Sequence, residues 1–166
     1  MRASEAGSTE GNAGRALPTA ADVAAAAGRI AGHAVPTPLL SSPFLDETVG
    51  GRVLLKAECL QRTGSFKFRG AFNRLARLDP AVRARGVVAC SSGNHAQGLA
   101  EAARIFAVPA TIVMPADAPA VKRARTERSG ATVVPYDRDR EDREAIAGEI
   151  AARTGATFVH PFEDPD

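Results

Sequence analysis

The stretch Gly86-Val87-Val88-Ala89-Cys90-Ser91-Ser92-Gly93-Asn94-His95 passes from an apolar run into a short polar loop, and helical composition follows at residues 96–106. This order predicts a buried strand, a loop and a helix. Small residues between a strand and a helix expose backbone N–H groups, where a carboxylate or phosphate binds readily. Helix capping explains one serine or asparagine, but not four polar side chains within five positions. We therefore predict an anion-binding loop at residues 91–95, with side-chain donors from Ser91, Ser92, Asn94 and His95.

The same succession of strand and helix recurs along the chain. Strands are predicted around Val88, Ile112, Val133 and Phe158, and helical stretches at 96–106, 119–129 and 139–153. This alternation predicts an α/β fold: a parallel twisted sheet with flanking helices and right-handed crossovers, which binds ligands at the carboxyl ends of its strands. An internal repeat would give a similar spacing, but it is also the natural length of a β-α unit, which we favour.

The amino-terminal residues carry fewer signals. Residues 1–16 are rich in Gly, Ala, Ser and Glu without an apolar run that could serve as a signal sequence, and we expect a disordered tail there. Thr19-Ala20-Ala21-Asp22 predicts a capped helix that reaches about Ala31. Pro36 and Pro38 then predict an extended passage. A short helix from about Pro43 to Gly50-Gly51 and a strand at residues 52–57 complete this part.

Composition excludes several classes of function. The 166 residues are 45% apolar and 24% charged, with a net charge of +2 and both signs interspersed, so we expect neither a nucleic-acid nor a membrane surface. No stretch is long and apolar enough to span a bilayer. The two cysteines, Cys59 and Cys90, are too far apart for a local metal clip, and no metal site is expected. They fit a reduced, cytoplasmic location.

A single lysine, Lys67, lies within Ser65-Phe66-Lys67-Phe68-Arg69-Gly70. If Ser65 caps a helix over residues 66–78, Lys67 lies in its first turn, where the helix dipole lowers the pKa of an ammonium group. Burial of Phe66 and Phe68 would act in the same direction. Only the neutral amine attacks a carbonyl, so the position suits a reactive lysine. The alternative is an ordinary solvated lysine at a helix start.

Both runs resemble one enzyme family. Together with Lys56-Ala57-Glu58-Cys59-Leu60-Gln61-Arg62-Thr63-Gly64, they are similar to the threonine/serine dehydratases (ammonia-lyases) and serine racemases, fold type II pyridoxal phosphate enzymes with a tryptophan synthase beta-like architecture. The resemblance runs from about Ile30 to the last residue. It includes Pro36-Thr37-Pro38-Leu39, residues 113–119 and Asp142-Arg143-Glu144. The glycine fingerprint of dinucleotide-binding folds and the P-loop pattern are absent from the sequence.

The resemblance implies three residues at the cofactor, pyridoxal 5'-phosphate. Lys67 takes the place of the lysine that binds the cofactor as a Schiff base and later acts as the base at the substrate α-carbon. Asn94 takes the place of the asparagine that bonds the phenolic oxygen of the cofactor. Phe66 takes the place of a phenylalanine that packs beside the cofactor ring without a catalytic role.

The resemblance also implies substrate contacts. Residues of the 91–95 loop bind the substrate carboxylate in the family, which points to Ser91, Asn94 and His95. Ser92 takes the place of the serine that exchanges a proton on the opposite side of the cofactor in racemase-like members. Arg143 matches an arginine that approaches the substrate carboxylate in the racemases. Its alternative is a solvated charge on a helix.

The resemblance implies a lyase that converts threonine or serine to a 2-oxo acid and ammonia, and a homo-oligomer at full length. Residues 17–166 match the amino-terminal portion, which stops before the glycine-rich phosphate loop. The partner of the pyridine nitrogen and the divalent-metal ligands, where relatives have them, also lie beyond this portion. We therefore expect the chain to be an inactive amino-terminal fragment.

Other functions remain open at this point. A serine or threonine racemase would use Ser92 to return the proton. A catalytically dead interaction module would use an uncovered apolar face to bind a partner. A hydrolase with Lys67 as the base for Ser65 or Ser92 is disfavoured, because the loop lacks a nucleophile elbow.

Overall fold

The amino-terminal elements of the computed structural model, which describes residues 17–161, surround a two-stranded antiparallel pair. Helix α1 (Ala20–Ile30) begins with the predicted capping box: the Thr19 hydroxyl accepts from the Asp22 N–H, and the Asp22 carboxylate accepts from the Thr19 N–H. Strands β1 (Leu39–Ser41) and β2 (Leu54–Lys56) flank helix α2 (Pro43–Val49), which ends at Gly50 with φ of 66°. The predicted tail at residues 1–16 lies outside the described residues.

Two 3₁₀ turns, Glu58–Leu60 and Arg62–Gly64, connect β2 to the rest of the chain. The subsequent elements alternate between helices and strands. In chain order they are α3 (Lys67–Arg77), α4 (Pro80–Arg83), β3 (Val87–Cys90), α5 (Asn94–Phe106), β4 (Ala110–Pro115), α6 (Ala120–Arg128), β5 (Thr132–Tyr136), α7 (Arg143–Thr154) and β6 (Thr157–Phe158).

The larger sheet is parallel and has the strand order β5-β4-β3-β6, which confirms the predicted α/β fold. The chain moves outward from β3 to β5 and then returns, through α7, to the other side of β3. Val87 therefore pairs with Ala110 on one side and with Thr157 on the other. Open parallel sheets bind ligands where the strand order reverses, and here the reversal lies at the carboxyl ends of β3 and β6.

Strand β3 is buried on both faces, because its residues alternate between two apolar cores. Val87 and Ala89 belong to the larger core, which contains residues of α3, α5 and β4. Val88 and Cys90 belong to a smaller core with residues of β4, β5 and α7. The polar loop that follows β3 thus starts from a strand without a solvent-facing side.

The structure also differs from the sequence predictions. The helix predicted at 139–153 begins only at Arg143, because Asp142 caps it by accepting from the N–H groups of Glu144 and Ala145. Strand β1 and helix α4 were not predicted. The expected strand at 52–57 is confined to β2. None of the helices within residues 17–161 has the length and apolarity to cross a membrane.

Candidate active site

Lys67 opens α3, and its side chain reaches the carboxyl end of β6. Its Nζ donates a hydrogen bond to the carbonyl oxygen of Pro161 at 2.8 Å, and the residue is half-buried. The same Nζ lies 5.4 Å from the centroid of the Phe66 ring, and Phe66 is itself 58% exposed. The structure therefore places the amine at the carboxyl ends of the strands, where ligand binding is predicted.

The predicted cap of this helix was wrong. Phe66, not Ser65, occupies the N-cap of α3, and its side chain makes no capping hydrogen bond. The preceding Thr63 and Gly64 both have positive φ, and Ser65 follows them with an extended backbone. Ser65 therefore lies one residue before the N-cap position. The hydroxyl of Ser65 is buried and has no hydrogen-bond partner among the described residues.

The 91–95 loop starts at the carboxyl end of β3 and ends inside α5. The Ser91 N–H donates to the carbonyl of Val113, and the Ser91 hydroxyl accepts from the Gly93 N–H at 3.2 Å. Gly93 is the N-cap of α5 and offers no side chain to cap it. Ser91 and Ser92 are half-buried, whereas Asn94 is exposed. Within residues 17–161, the first N–H groups of α5 therefore face the loop without a side-chain cap, as an anion site requires.

His95 behaves differently from the other polar residues of this loop. Its ring is 7% exposed, and Nε2 lies 3.3 Å from the carbonyl oxygen of Val159, just after β6. Burial lowers the pKa of His95 to about 4, with a smaller contribution in the same direction from the charge of Lys67. The ring is therefore neutral near pH 7. Since the ring is buried against Val159, the loop-facing donor that His95 can offer is its backbone N–H.

A glycine brings Lys67 and the loop together. A Cβ on Gly98, one turn into α5, would lie 3.0 Å from both the carbonyl carbon of Lys67 and the backbone nitrogen of Phe68. The two helices therefore touch backbone to backbone at this point. Lys67 and the 91–95 loop are neighbours because position 98 has no side chain.

A charged network that the sequence did not predict holds the start of α3. The Glu58 carboxylate accepts two hydrogen bonds from Arg69, at 2.7 and 2.8 Å, and one from the Thr37 hydroxyl at 2.5 Å. These contacts, led by the hydrogen bonds from Arg69, lower the pKa of Glu58 to about 2. Glu58 and Arg69 both lie in the sequence runs that resemble the enzyme family. Their separation of eleven positions matches neither helix nor strand periodicity, so the sequence does not predict their contact.

Arg143 lies at the first position of α7, with its guanidinium half exposed and Nη2 3.7 Å from Glu144 Oε1. Its backbone carbonyl accepts a hydrogen bond from the Cys90 thiol at 3.0 Å. The Cys90 thiol, directly before Ser91 in the chain, thus anchors the backbone of Arg143, while the guanidinium of Arg143 faces solvent. Within residues 17–161, no group of three or more His, Cys, Asp or Glu side chains is arranged to hold a metal ion.

Comparisons with known proteins identify the relatives of this chain. The family described as pyridoxal-phosphate dependent enzyme matches residues 30–166. An L-threo-3-hydroxyaspartate ammonia-lyase from Pseudomonas sp is 57% identical over 145 residues, which cover 87% of this chain and 46% of that protein.

Two solved structures extend the comparison. Maize serine racemase has a TM-score of 0.81 and 39% identity, over 86% of this chain and 43% of that one. The T.th. threonine deaminase has a TM-score of 0.79 and 46% identity, over 89% of this chain and 46% of that one. The chain spans about half the length of the curated relatives it matches.

Proposed function

Because the chain belongs to the family of pyridoxal-phosphate dependent enzymes, we propose that it is the lysine-bearing part of an ammonia-lyase for β-hydroxy amino acids. The observation that carries this proposal is the position of Lys67 Nζ. It lies 2.8 Å from the Pro161 carbonyl, at the end of the sheet where the strand order reverses and where the 91–95 loop begins.

The residues present fit one end of pyridoxal phosphate. Lys67 supplies a primary amine for its aldehyde, and the exposed ring of Phe66 supplies an apolar contact beside it. The exposed amide of Asn94 and the buried hydroxyl of Ser65, which has no hydrogen-bond partner within residues 17–161, would serve its polar substituents.

The proposed chemistry uses two groups of this chain. When bound, pyridoxal phosphate withdraws electrons from the substrate α-carbon and makes its proton removable. Lys67 Nζ would take that proton as a general base, and the Pro161 carbonyl would stabilise the resulting ammonium. The uncapped N–H groups of α5 would hold the substrate carboxylate, with Ser91, Asn94 and His95 as its neighbours. Loss of the β-hydroxyl and then of ammonia leaves a 2-oxo acid.

The proposed substrates are threonine and serine, and the name of one relative suggests 3-hydroxyaspartate as a third. The 57% identical relative is named for that dicarboxylate, and the half-exposed guanidinium of Arg143 is a candidate for a substrate carboxylate. A racemase remains the alternative, because Ser92 is half-buried in the loop and could return a proton. A lyase releases ammonia and a 2-oxo acid, whereas a racemase exchanges the α-proton with solvent deuterium and retains the amino acid.

Lysine mapping tests the proposal directly, because the chain contains three lysines: Lys56, Lys67 and Lys122. The protein is mixed with pyridoxal phosphate, reduced with borohydride and digested, and each lysine peptide is quantified by mass spectrometry. We expect the label on Lys67 and its loss in Lys67→Arg, with Lys122→Arg as the matched control. A label mainly on Lys56 or Lys122 contradicts the proposal.

A second candidate function, an interaction module, is supported by an uncovered apolar surface. Leu40 and Leu55 pair across β1 and β2 and are 49% and 47% exposed. Phe44, on α2, is 74% exposed. Sedimentation of the chain and of the double variant Leu40→Thr, Leu55→Thr tests this function. Association that depends on these leucines, together with no specific labelling of Lys67, would favour the interaction module over the lyase.

A further inference from the structure

We propose that His95 is a positioning residue for Lys67, acting through the 159–161 segment that follows β6. This inference rests on the proposed function, in which Lys67 is the amine that reacts. The resemblance links His95 to the substrate carboxylate, but the structure gives its ring a different partner.

Two side chains from different helices bind the same short segment. From α5, His95 Nε2 lies 3.3 Å from the Val159 carbonyl, and from α3, Lys67 Nζ donates to the Pro161 carbonyl at 2.8 Å. The Val159 N–H donates to the Val88 carbonyl on β3 at 2.9 Å. Val159 is thus held by its N–H on the sheet side and by its C=O on the His95 side, and its own side chain is 2% exposed.

The chemistry of the contact fixes the state of the ring. A carbonyl oxygen can only accept, so Nε2 of His95 must carry the proton and donate it to Val159. The ring has no second N–H in its neutral form, and burial favours that form. His95 therefore acts as a fixed donor to the backbone rather than as an acid or base for the substrate.

The position of the Pro161 carbonyl follows from that anchor. Pro161 lies two residues beyond the carbonyl that His95 holds, and its ring restricts its own φ to about −65°. Few soft torsions therefore separate the anchored Val159 from the oxygen that accepts from Lys67. Reactive groups need placement within about 0.5 Å, which a second layer of hydrogen bonds provides. The His95 bond is such a second layer.

The test compares three substitutions of His95 in the 166-residue chain. Glutamine places a donor at nearly the reach of Nε2, asparagine places its donor at the reach of Nδ1, and leucine has no donor. Each protein is treated with trace acetic anhydride, and acetylation of Lys67 is measured relative to the exposed Lys122. Lys56, which donates to the Thr37 carbonyl, reports any general loosening of the fold.

We expect the ratio of Lys67 to Lys122 labelling to rise roughly fivefold in His95→Leu and His95→Asn, the change that one net hydrogen bond is worth. His95→Gln should stay near the wild-type ratio, and Lys56 labelling should not change in any variant. An unchanged ratio in His95→Leu, with Lys56 still protected, would overturn the proposal. So would equal ratios in the Gln and Asn variants.

These readouts need no cofactor and no turnover, so they separate this inference from the proposed function. If a His95→Leu chain is too unstable to compare, the contrast between Gln and Asn still decides, because both substitutions are polar amides. If pyridoxal phosphate fails to label Lys67 while the acetylation contrast holds, the proposed function fails and the positioning role remains.

Discussion

The carbonyl carbon of Lys67 lies 3.0 Å from the position that a Cβ would occupy on Gly98. This contact joins the helix that presents the Lys67 amine to the helix that begins in the 91–95 loop. Glycine is costly in a helix interior, by about 1 kcal/mol relative to alanine. The close approach of the two backbones is the physical reason for its presence in α5.

Substitution of Gly98 tests this contact. Gly98→Val should destabilise the chain by about 2 kcal/mol or more, because the added methyl groups meet backbone that cannot rotate away. Gly98→Ala should also destabilise the chain, though less than valine, because its Cβ would lie 3.0 Å from backbone atoms of α3 that must shift to admit it. Urea unfolding measures both. Gly148→Ala is the control: nothing lies within 4 Å of its Cβ position in α7, and it should stabilise the chain by about 0.5 to 1 kcal/mol.

The carboxyl of Glu58 should make stability depend on pH in strongly acidic solution. Its pKa falls from 4.5 to about 2 on folding, chiefly through the hydrogen bonds from Arg69. A lowered pKa gives stability that is complete above pH 4.5 and is lost as the pH falls toward 2. Glu58→Gln should therefore cost about 2 kcal/mol at pH 7, allowing for partial exposure, and much less near pH 2. A penalty that does not change with pH would contradict this assignment.

His95 should also make the free energy of unfolding depend on pH, in a less acidic range than Glu58. Its pKa falls from 6.5 to about 4 on folding, because the ring is buried. The unfolded chain therefore binds a proton in this window that the folded chain does not, and stability is lost as the pH falls from 6.5 toward 4. The loss is at most about 3 kcal/mol. Urea unfolding at pH 7.5, 5.5 and 4.5 should show the loss in wild type and not in His95→Gln.

The two cysteines should differ in reactivity. Cys59 is exposed, whereas Cys90 is buried in β3 and its thiol donates to the Arg143 carbonyl. Burial raises the pKa of Cys90 to about 11, so almost no thiolate forms at pH 8. Iodoacetamide at pH 8 should alkylate Cys59 in the folded chain and Cys90 only after urea is added. Equal labelling of both thiols in the folded protein would show that β3 is open to solvent.

Ser65 should contribute more to ligand binding than to stability. Its buried hydroxyl has no partner among the described residues, and an unsatisfied buried group costs about 1 kcal/mol or more. Ser65→Ala should therefore leave the free energy of unfolding unchanged or raise it by about 1 kcal/mol. Thr37→Val is the comparison, because the Thr37 hydroxyl donates to Glu58 and its removal should destabilise the chain. A clear loss of stability in Ser65→Ala would mean that the hydroxyl already has a structural partner.

The sequence predicted the larger sheet well, because its strands carry strong local signals. The apolar runs around Val88 and Ile112 lie between turn residues, and their short length and β-branched residues identify them as buried strands. The capping box of Thr19 and Asp22 likewise predicted the start of α1. Strand β1 escaped prediction because it has only three residues and begins directly after Pro38, where the local pattern indicated no more than an extended passage.

The site was predicted in part. Local motifs indicated Lys67 and the 91–95 loop, but not the contacts that join them. Those contacts run through backbone carbonyls of Val159 and Pro161 and through the bare Cα of Gly98. Every residue has a backbone carbonyl group, so a contact to a carbonyl does not require a particular residue type and cannot be predicted from the sequence. The misplaced cap at Ser65 has a similar cause, because the positive φ of Thr63 is a tertiary effect and not a local preference.

The complete burial of β3 restricts where protein engineers can introduce diversity. Each of its four residues fills one of two cores, so a mutant library that randomised this strand would mostly contain misfolded clones. Phe66, Asn94 and Arg143 surround the same end of the sheet and are exposed. Saturation of these three codons would leave both cores intact.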